Sequence, residues 1–189
     1  NNWVVETSIL LERNNYENEK QIVCHLIISD KEKKTVAQIE QSILFEKGQR
    51  VGGKKIEIQV DNPYLWDEGN PYLYTMTAST EFEESFVNFG FREISSEETK
   101  ILINKKEIFL KGISRHEPCL KTPKEYEEQV DKELSLIKEI NGNFTRLCHY
   151  PHGISTLDAS DNKGIYVWEE VPFYHVGLAI AHDMFKKKK

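Results

Sequence analysis

Asn143-Phe144-Thr145-Arg146-Leu147-Cys148-His149-Tyr150-Pro151 begins as a short apolar strand and ends in a run of ionisable side chains. A helical stretch follows at Ser155 to Lys163 and stops at Gly164. Then comes Ile165 to Trp168, an uninterrupted apolar run of the kind expected from a strand buried on both faces. Upstream of Asn143 lies another helix. Thr122 is placed as N-cap, Pro123 as first helical residue and Glu125, three residues after the cap, as the other half of a capping box. Tyr126, Val130, Leu134, Ile137 and Ile140 then recur at spacings of three and four, giving one apolar stripe, and Gly142 is the expected stop. A further hairpin, Lys100 to Ile103 and Ile108 to Lys111 around Asn104-Lys105-Lys106, precedes it. The order β-α-β-α-β predicts a parallel sheet with right-handed crossovers.

Residues before about 94 follow a different grammar. Trp3 to Leu11, Gln21 to Ser29, Val36 to Phe45, Lys55 to Val60, Tyr72 to Phe82 and Ser85 to Phe91 are short β-prone runs. Arg13-Asn14-Asn15, Asp30-Lys31-Glu32, Gly52-Gly53, Asp61-Asn62-Pro63 and Gly69-Asn70-Pro71 separate them. Regular short strands between turn signals predict an antiparallel sandwich. The fold class expected is therefore multidomain, a β-sandwich followed by α/β units. The 189 residues fall short of a complete (β/α)8 barrel with an accessory domain, since the barrel alone takes roughly 250 residues.

Composition excludes several classes. With 39% hydrophobic and 30% charged residues the chain is globular rather than disordered. A net charge of −6 argues against a general nucleic-acid binder, and the lysines at 186–189 read as a solvated tail. No apolar run approaches the roughly 20 residues of a membrane helix, and Asn1 to Glu6 lacks the features of a signal peptide. Cys24, Cys119 and Cys148 show neither a disulfide framework nor a metal-ligand spacing, which fits reduced thiols and a cytoplasmic setting.

In parallel α/β folds functional residues gather at the C-terminal ends of strands. Those ends here read Ser114-Arg115-His116-Glu117, Arg146 to His152 and Glu169-Glu170. Brought together, they would form a donor-rich pocket suited to a polyhydroxylated ligand. Arg115, Glu117, Glu169 and Glu170 also fit ion pairs that only fix geometry, and His149 also fits a loop-packing role. Glu169 and Glu170 are adjacent on a strand, so they cannot face each other as an acid–base pair. His116, His149 and His152 are too irregularly spaced to predict zinc. Trp66, Tyr72 and Tyr74 fit either a sugar-stacking platform or, more simply, a sandwich core.

Taken in order, these motifs resemble glycoside hydrolase family 2, which contains β-galactosidases, β-glucuronidases and β-mannosidases. Asn143 to Pro151 followed by Asp161 to Glu169 resembles the family signature. Pro63-Tyr64-Leu65-Trp66, Pro71 to Tyr74 and Phe89-Gly90-Phe91-Arg92 resemble the end of its immunoglobulin-like domain. Leu102 to Asn104, Leu110 to Glu117 and Trp168 to Pro172 resemble the start of its (β/α)8 TIM barrel. The resemblance implies an immunoglobulin-like antiparallel β-sandwich over 1–94 and an incomplete TIM barrel over 95–189. It implies a retaining β-glycosidase that needs no cofactor. His116, Arg146 and His149 would contact the sugar, with Arg115, Glu117 and Glu170 supporting them. No catalytic residue is assigned, because neither the Asn-Glu acid/base nor the nucleophile of the family has a counterpart in these residues, so the chain alone is expected to be inactive. The magnesium-binding glutamate of some β-galactosidases is replaced by Tyr174, so no metal is expected. Leu147, Thr145 and Lys105 depart from the family pattern. The partner implied is a carbohydrate substrate. Three parallel strands cannot close a barrel, which leaves an exposed edge and homo-oligomerisation open. A non-catalytic sandwich module that binds carbohydrate or protein is the alternative.

Overall fold

Alternating side chains along the early strands drive two antiparallel sheets together over one apolar core. The computed structural model of the chain describes residues 2–119, 122–172, 177 and 186. It divides into two units, Asn1–Trp66 with Tyr72–Arg92, and Asp67–Pro71 with Glu93–Lys189.

The first unit contains β1 (Asn2–Glu12), β2 (Lys20–Ser29), β3 (Thr35–Phe45), β4 (Val51–Asp61), β5 (Tyr74–Ser79) and β6 (Glu84–Phe89). β1 pairs with β4, and a second sheet runs in the order β3-β2-β5-β6, every pair antiparallel. Leu26 and Ile28 of β2, Ile56, Ile58 and Val60 of β4, and Tyr74 and Met76 of β5 meet in one core with Tyr72 and Phe91. Each such side chain contributes about 1.5–3 kcal/mol by leaving water. Trp66 is completely buried, Tyr72 and Tyr74 nearly so, and the Arg92 guanidinium lies 4.8 Å from the centre of the Trp66 ring. These three aromatics are core residues and offer no stacking platform to a sugar.

Two segments that look like separators do more. Arg13 is buried and donates to three backbone carbonyls, those of Gln49, Asn18 and Glu46, at 2.8, 2.7 and 2.7 Å. Its charge is met by three peptide dipoles, and the Glu46 carbonyl it engages also accepts from the Gln49 N–H at 3.0 Å. Gly52 and Gly53 sit inside β4 rather than between strands, opposite Leu11 and Leu10. A Cβ on Gly53 would stand 2.8 Å from the Ile9 carbonyl oxygen, so glycine serves close strand approach here.

In the second unit β7 (Ile94–Glu97), β8 (Lys100–Ile103) and β9 (Lys106–Ile108) form an antiparallel meander. β7 carries no alternation to announce it, and the strand expected at Ile108 to Lys111 lies earlier, as β9, with Lys106 inside the strand and not in the turn. β10 (Gly112–His116), α1 (Pro123–Glu139), β11 (Phe144–Cys148), α2 (Ile154–Lys163) and β12 (Tyr166–Glu169) follow. β10, β11 and β12 form a parallel sheet in that order, three strands and not a closed barrel. The capping box at Thr122 and Glu125 is present with Pro123 in the first turn. Val130, Leu134 and Ile137 are buried against Ile165, with Tyr126 packed beside them. Ile140 is 68% exposed because it caps the helix past its last buried turn. The left-handed residue after α1 is Asn141 (φ 58°), whereas Gly142 is needed because a Cβ would meet the Ile137 side chain at 2.7 Å. Gly164 ends α2 in the left-handed conformation, φ 66°. Lys138 donates to its carbonyl and to that of Glu68, at 3.4 and 3.2 Å, tying the Asp67–Pro71 segment to both helices.

The Ile165 to Trp168 run is not buried on both faces. Tyr166 and Val167 are half-buried and Trp168 is 58% exposed. Among the described residues β12 pairs on one side alone, with β11.

Asn104 and Lys105 both hold positive φ, 52° and 65°, in the β8–β9 turn. A side chain in this region costs about 1–2 kcal/mol, and glycine returns part of that to unfolded-chain entropy. Lys105→Gly should therefore stabilise the second unit by about 0.5–1 kcal/mol in urea unfolding; a loss of stability would contradict this assignment of the turn.

Candidate functional site

Asn143 sets the position of the site. It is buried, accepts from the Lys111 N–H at 2.7 Å and donates to the Phe109 carbonyl at 3.0 Å. One side chain thus clamps the start of β11 to the segment leading into β10. From there parallel register places Arg146 between Ser114 and Trp168, and Leu147 between Arg115 and Glu169. Because strand side chains alternate, the two sets lie on opposite faces.

On the first face the polar groups converge. The Arg146 Nε donates to Glu170 Oε1 at 2.7 Å, and Nη2 bridges to the same oxygen. Glu170 Oε2 lies 3.1 Å from His149 Nδ1. His149 meets the His116 ring edge-to-face, with centroids 5.2 Å apart, and Arg146 Nη1 reaches Ser114 Oγ at 3.5 Å. The peptide bond between Cys148 and His149 is cis. The hydrogen bond from Arg146 pulls the Glu170 carboxyl below the usual range; desolvation opposes this, and His149 adds to the lowering. Glu170 is therefore anionic at neutral pH, already engaged by two partners. Cys148, His149 and Glu170 also bring one ligand atom each to within 4.8 Å of one another.

On the opposite face Arg115 is 6% exposed and donates through Nε and Nη2 to Glu133 of α1, at 2.9 and 2.7 Å. Its Nη1 faces His152 Nδ1 at 3.4 Å, while His152 Nε2 lies 3.1 Å from the Cys148 carbonyl. Glu117 Oε1 accepts from Tyr126 Oη and from the Gly153 N–H, both at 2.7 Å, and Tyr126 also bonds Thr156. Burial alone would raise the Glu117 carboxyl, but these two donors and the nearby His152 and Arg115 outweigh it and hold it low. Glu117 thereby ties the N-terminal end of α2 to α1.

The strand-end residues are thus divided. His116, Arg146, His149 and Glu170 come together, whereas Arg115 and Glu117 turn towards the helices. The three histidines do not assemble: His152 is occupied by Arg115 and a carbonyl. Tyr174 lies outside the described residues. Glu133, Asn143 and Trp168 are parts that motif reading assigns no task. Glu133 carried a faint signal, an acidic residue beside the buried stripe of α1. A cavity of about 390 Å³ opens in the sandwich beside Ile9, Cys24, Leu26 and Met76, and none of the polar cluster lines it.

Two family models cover nearly the whole chain, glycosyl hydrolases family 2 over residues 2–92 and the glycosyl hydrolases family 2 TIM barrel domain over residues 94–187. The chain belongs to glycosyl hydrolase family 2. Among family 2 proteins it is 34% identical over 119 residues to a β-galactosidase large subunit of Lactobacillus acidophilus, covering 59% of this chain and 19% of that protein. It is 31% identical over 147 residues to a β-glucuronidase of Paenibacillus borealis, covering 71% of this chain and 24% of that one. The crystal structure of a family 2 member from Bacteroides cellulosilyticus superposes with a TM-score of 0.79 at 26% identity, over 90% of this chain and 24% of the other. The chain spans about a fifth to a quarter of the length of these family 2 relatives.

Two predictions separate the faces. Glu133→Ala strands the buried Arg115 charge and should cost about 3 kcal/mol, whereas Arg146→Ala should leave the melting temperature of the second unit nearly unchanged. Equal losses in calorimetry would contradict the division. The lowered Glu117 carboxyl contributes stability above the ordinary glutamate range that is lost as pH falls through its folded-state value. Glu117→Gln should flatten the acid side of the stability profile; an unaltered profile would remove Glu117 from this role.

Proposed function

We propose that residues 95–189 are the opening β/α units of a TIM barrel and residues 1–94 the immunoglobulin-like sandwich before it, in a retaining β-glycosidase acting on β-galactosides or β-glucuronides. The observation that carries this reading is the Arg146–Glu170–His149 cluster, with His116 against it, at the C-terminal ends of three parallel strands. That is the edge at which TIM-barrel enzymes place their chemistry. The names of the family 2 relatives support the substrate class.

In this reading Arg146 and His149 present donors to sugar hydroxyls, and His116 borders the same pocket. Glu170 does not perform the chemistry. Its carboxylate is held anionic and hydrogen-bonded on both oxygens, so it has no proton to give, and it fixes the orientation of Arg146 and His149. Arg115 and Glu117 act further back, by holding α1 and α2 against the sheet. Retaining hydrolysis needs two carboxyl groups about 5–5.5 Å apart on either side of the scissile bond. Residues 1–189 supply sugar contacts rather than that pair.

Two measurements test this. The 189-residue chain alone should show no hydrolysis of aryl β-galactosides or β-glucuronides above buffer; turnover that survives rigorous purification would contradict the assignment. In a full-length polypeptide carrying these residues, Arg146→Ala should lower kcat/KM by about 10–100-fold, the worth of a charged hydrogen bond of about 1.5–3 kcal/mol. An unchanged value would place the sugar elsewhere.

A further inference from the structure

Cys148, His149 and Glu170 contribute a thiol, an imidazole and a carboxylate whose donor atoms lie within 4.8 Å of one another. We propose that these three side chains bind a zinc ion, and that zinc at this position excludes sugar. The first half concerns the metal alone; the second rests on the function proposed above.

The donor set favours a borderline-soft metal. Thiolate and imidazole select zinc over magnesium or calcium, which prefer all-oxygen shells. Three protein ligands leave a fourth tetrahedral position open. His149 Nδ1 and Glu170 Oε2 are 3.1 Å apart, close to the ~3.4 Å edge of a tetrahedron with zinc bonds of about 2.0–2.2 Å. Nε and Nη2 of Arg146 both address Oε1, so the guanidinium fixes the carboxylate and leaves Oε2 directed at His149. Zinc would take the place of the proton between Oε2 and Nδ1, and the neutral imidazole would then carry its N–H on Nε2. Cys148 is buried and its thiol donates to the Arg146 carbonyl at 3.7 Å, while His149 and Glu170 keep partial exposure. On binding, the thiol loses its proton to solvent; the thiolate offsets one charge of the metal, and the carboxylate is shared between the metal and the Arg146 guanidinium, which leaves one positive charge for an anion or hydroxide at the open position. The histidine and the carboxylate oxygen consumed are those assigned to sugar contact and its support.

Cobalt(II) is the probe, because a thiolate bound to it gives a near-ultraviolet charge-transfer band and tetrahedral ligation gives visible bands. The intact chain titrated with cobalt should show both, and zinc should displace them. Cys148→Ser should abolish the charge-transfer band, whereas Cys24→Ser and Cys119→Ser should retain it. Glu170→Gln, which leaves the buried thiol alone, should weaken binding at least tenfold. Absence of the band in the wild-type chain, or its survival in Cys148→Ser, overturns the metal site. If the band behaves as expected but zinc and a sugar lactone bind a full-length polypeptide independently, the metal site stands and the sugar placement falls.

Discussion

β11 lies between β10 and β12 in parallel register, and the alternation of side chains along these strands decides which polar groups at their C-terminal ends face together. Arg146 goes to one face with Ser114 and Trp168; Leu147 goes to the other with Arg115. A slip of one residue would exchange these sets and bury the guanidinium of Arg146 under the helices. Asn143 guards against that slip, because its amide meets a donor at Lys111 and an acceptor at Phe109 at one register only.

The two arginines show what this division achieves. Arg115 is buried and paired with Glu133, so it must be compensated and its partner is tied to folding. Arg146 keeps 41% of its side chain exposed and pairs with Glu170, which itself is 21% exposed. Such a pair adds little to stability in water, yet it orients donors towards whatever occupies the open face. In the proposed function, stability and recognition are carried by different faces of the same three strands.

Local signals were legible in the sequence. The capping box at Thr122, the end of α2 at Gly164 and the α1 stripe through Ile137 each depend on residues within a turn or two and are found, whereas Ile140, the last expected member of the stripe, is exposed. The parallel order of β10, β11 and β12 followed from the alternation of strands and helices. The failures have two sources. β7 is short and lacks alternation, so only its hairpin pairing with β8 makes it a strand. Gly53 is a glycine because Ile9, distant along the chain, passes close, and Arg115, turned from the strand-end cluster by alternation, finds its partner Glu133 on α1. Trp168 ends an apolar run that looked doubly buried, but helices cover one face of that sheet and pairing reaches one side of β12 among the described residues. The grouping of His116, Arg146, His149 and Glu170 was readable from the strand ends; the engagement of both Glu170 oxygens was not.

The Arg146–Glu170–His149 face is proposed to meet sugar, and the decisive measurement is a crystal structure of a full-length polypeptide carrying these residues with a glycone-like lactone bound. Sugar oxygens are expected at hydrogen-bond distance, roughly 3 Å, from Arg146 or His149, with the ring beside His116. A lactone seated elsewhere, with that face covered by protein, would contradict it.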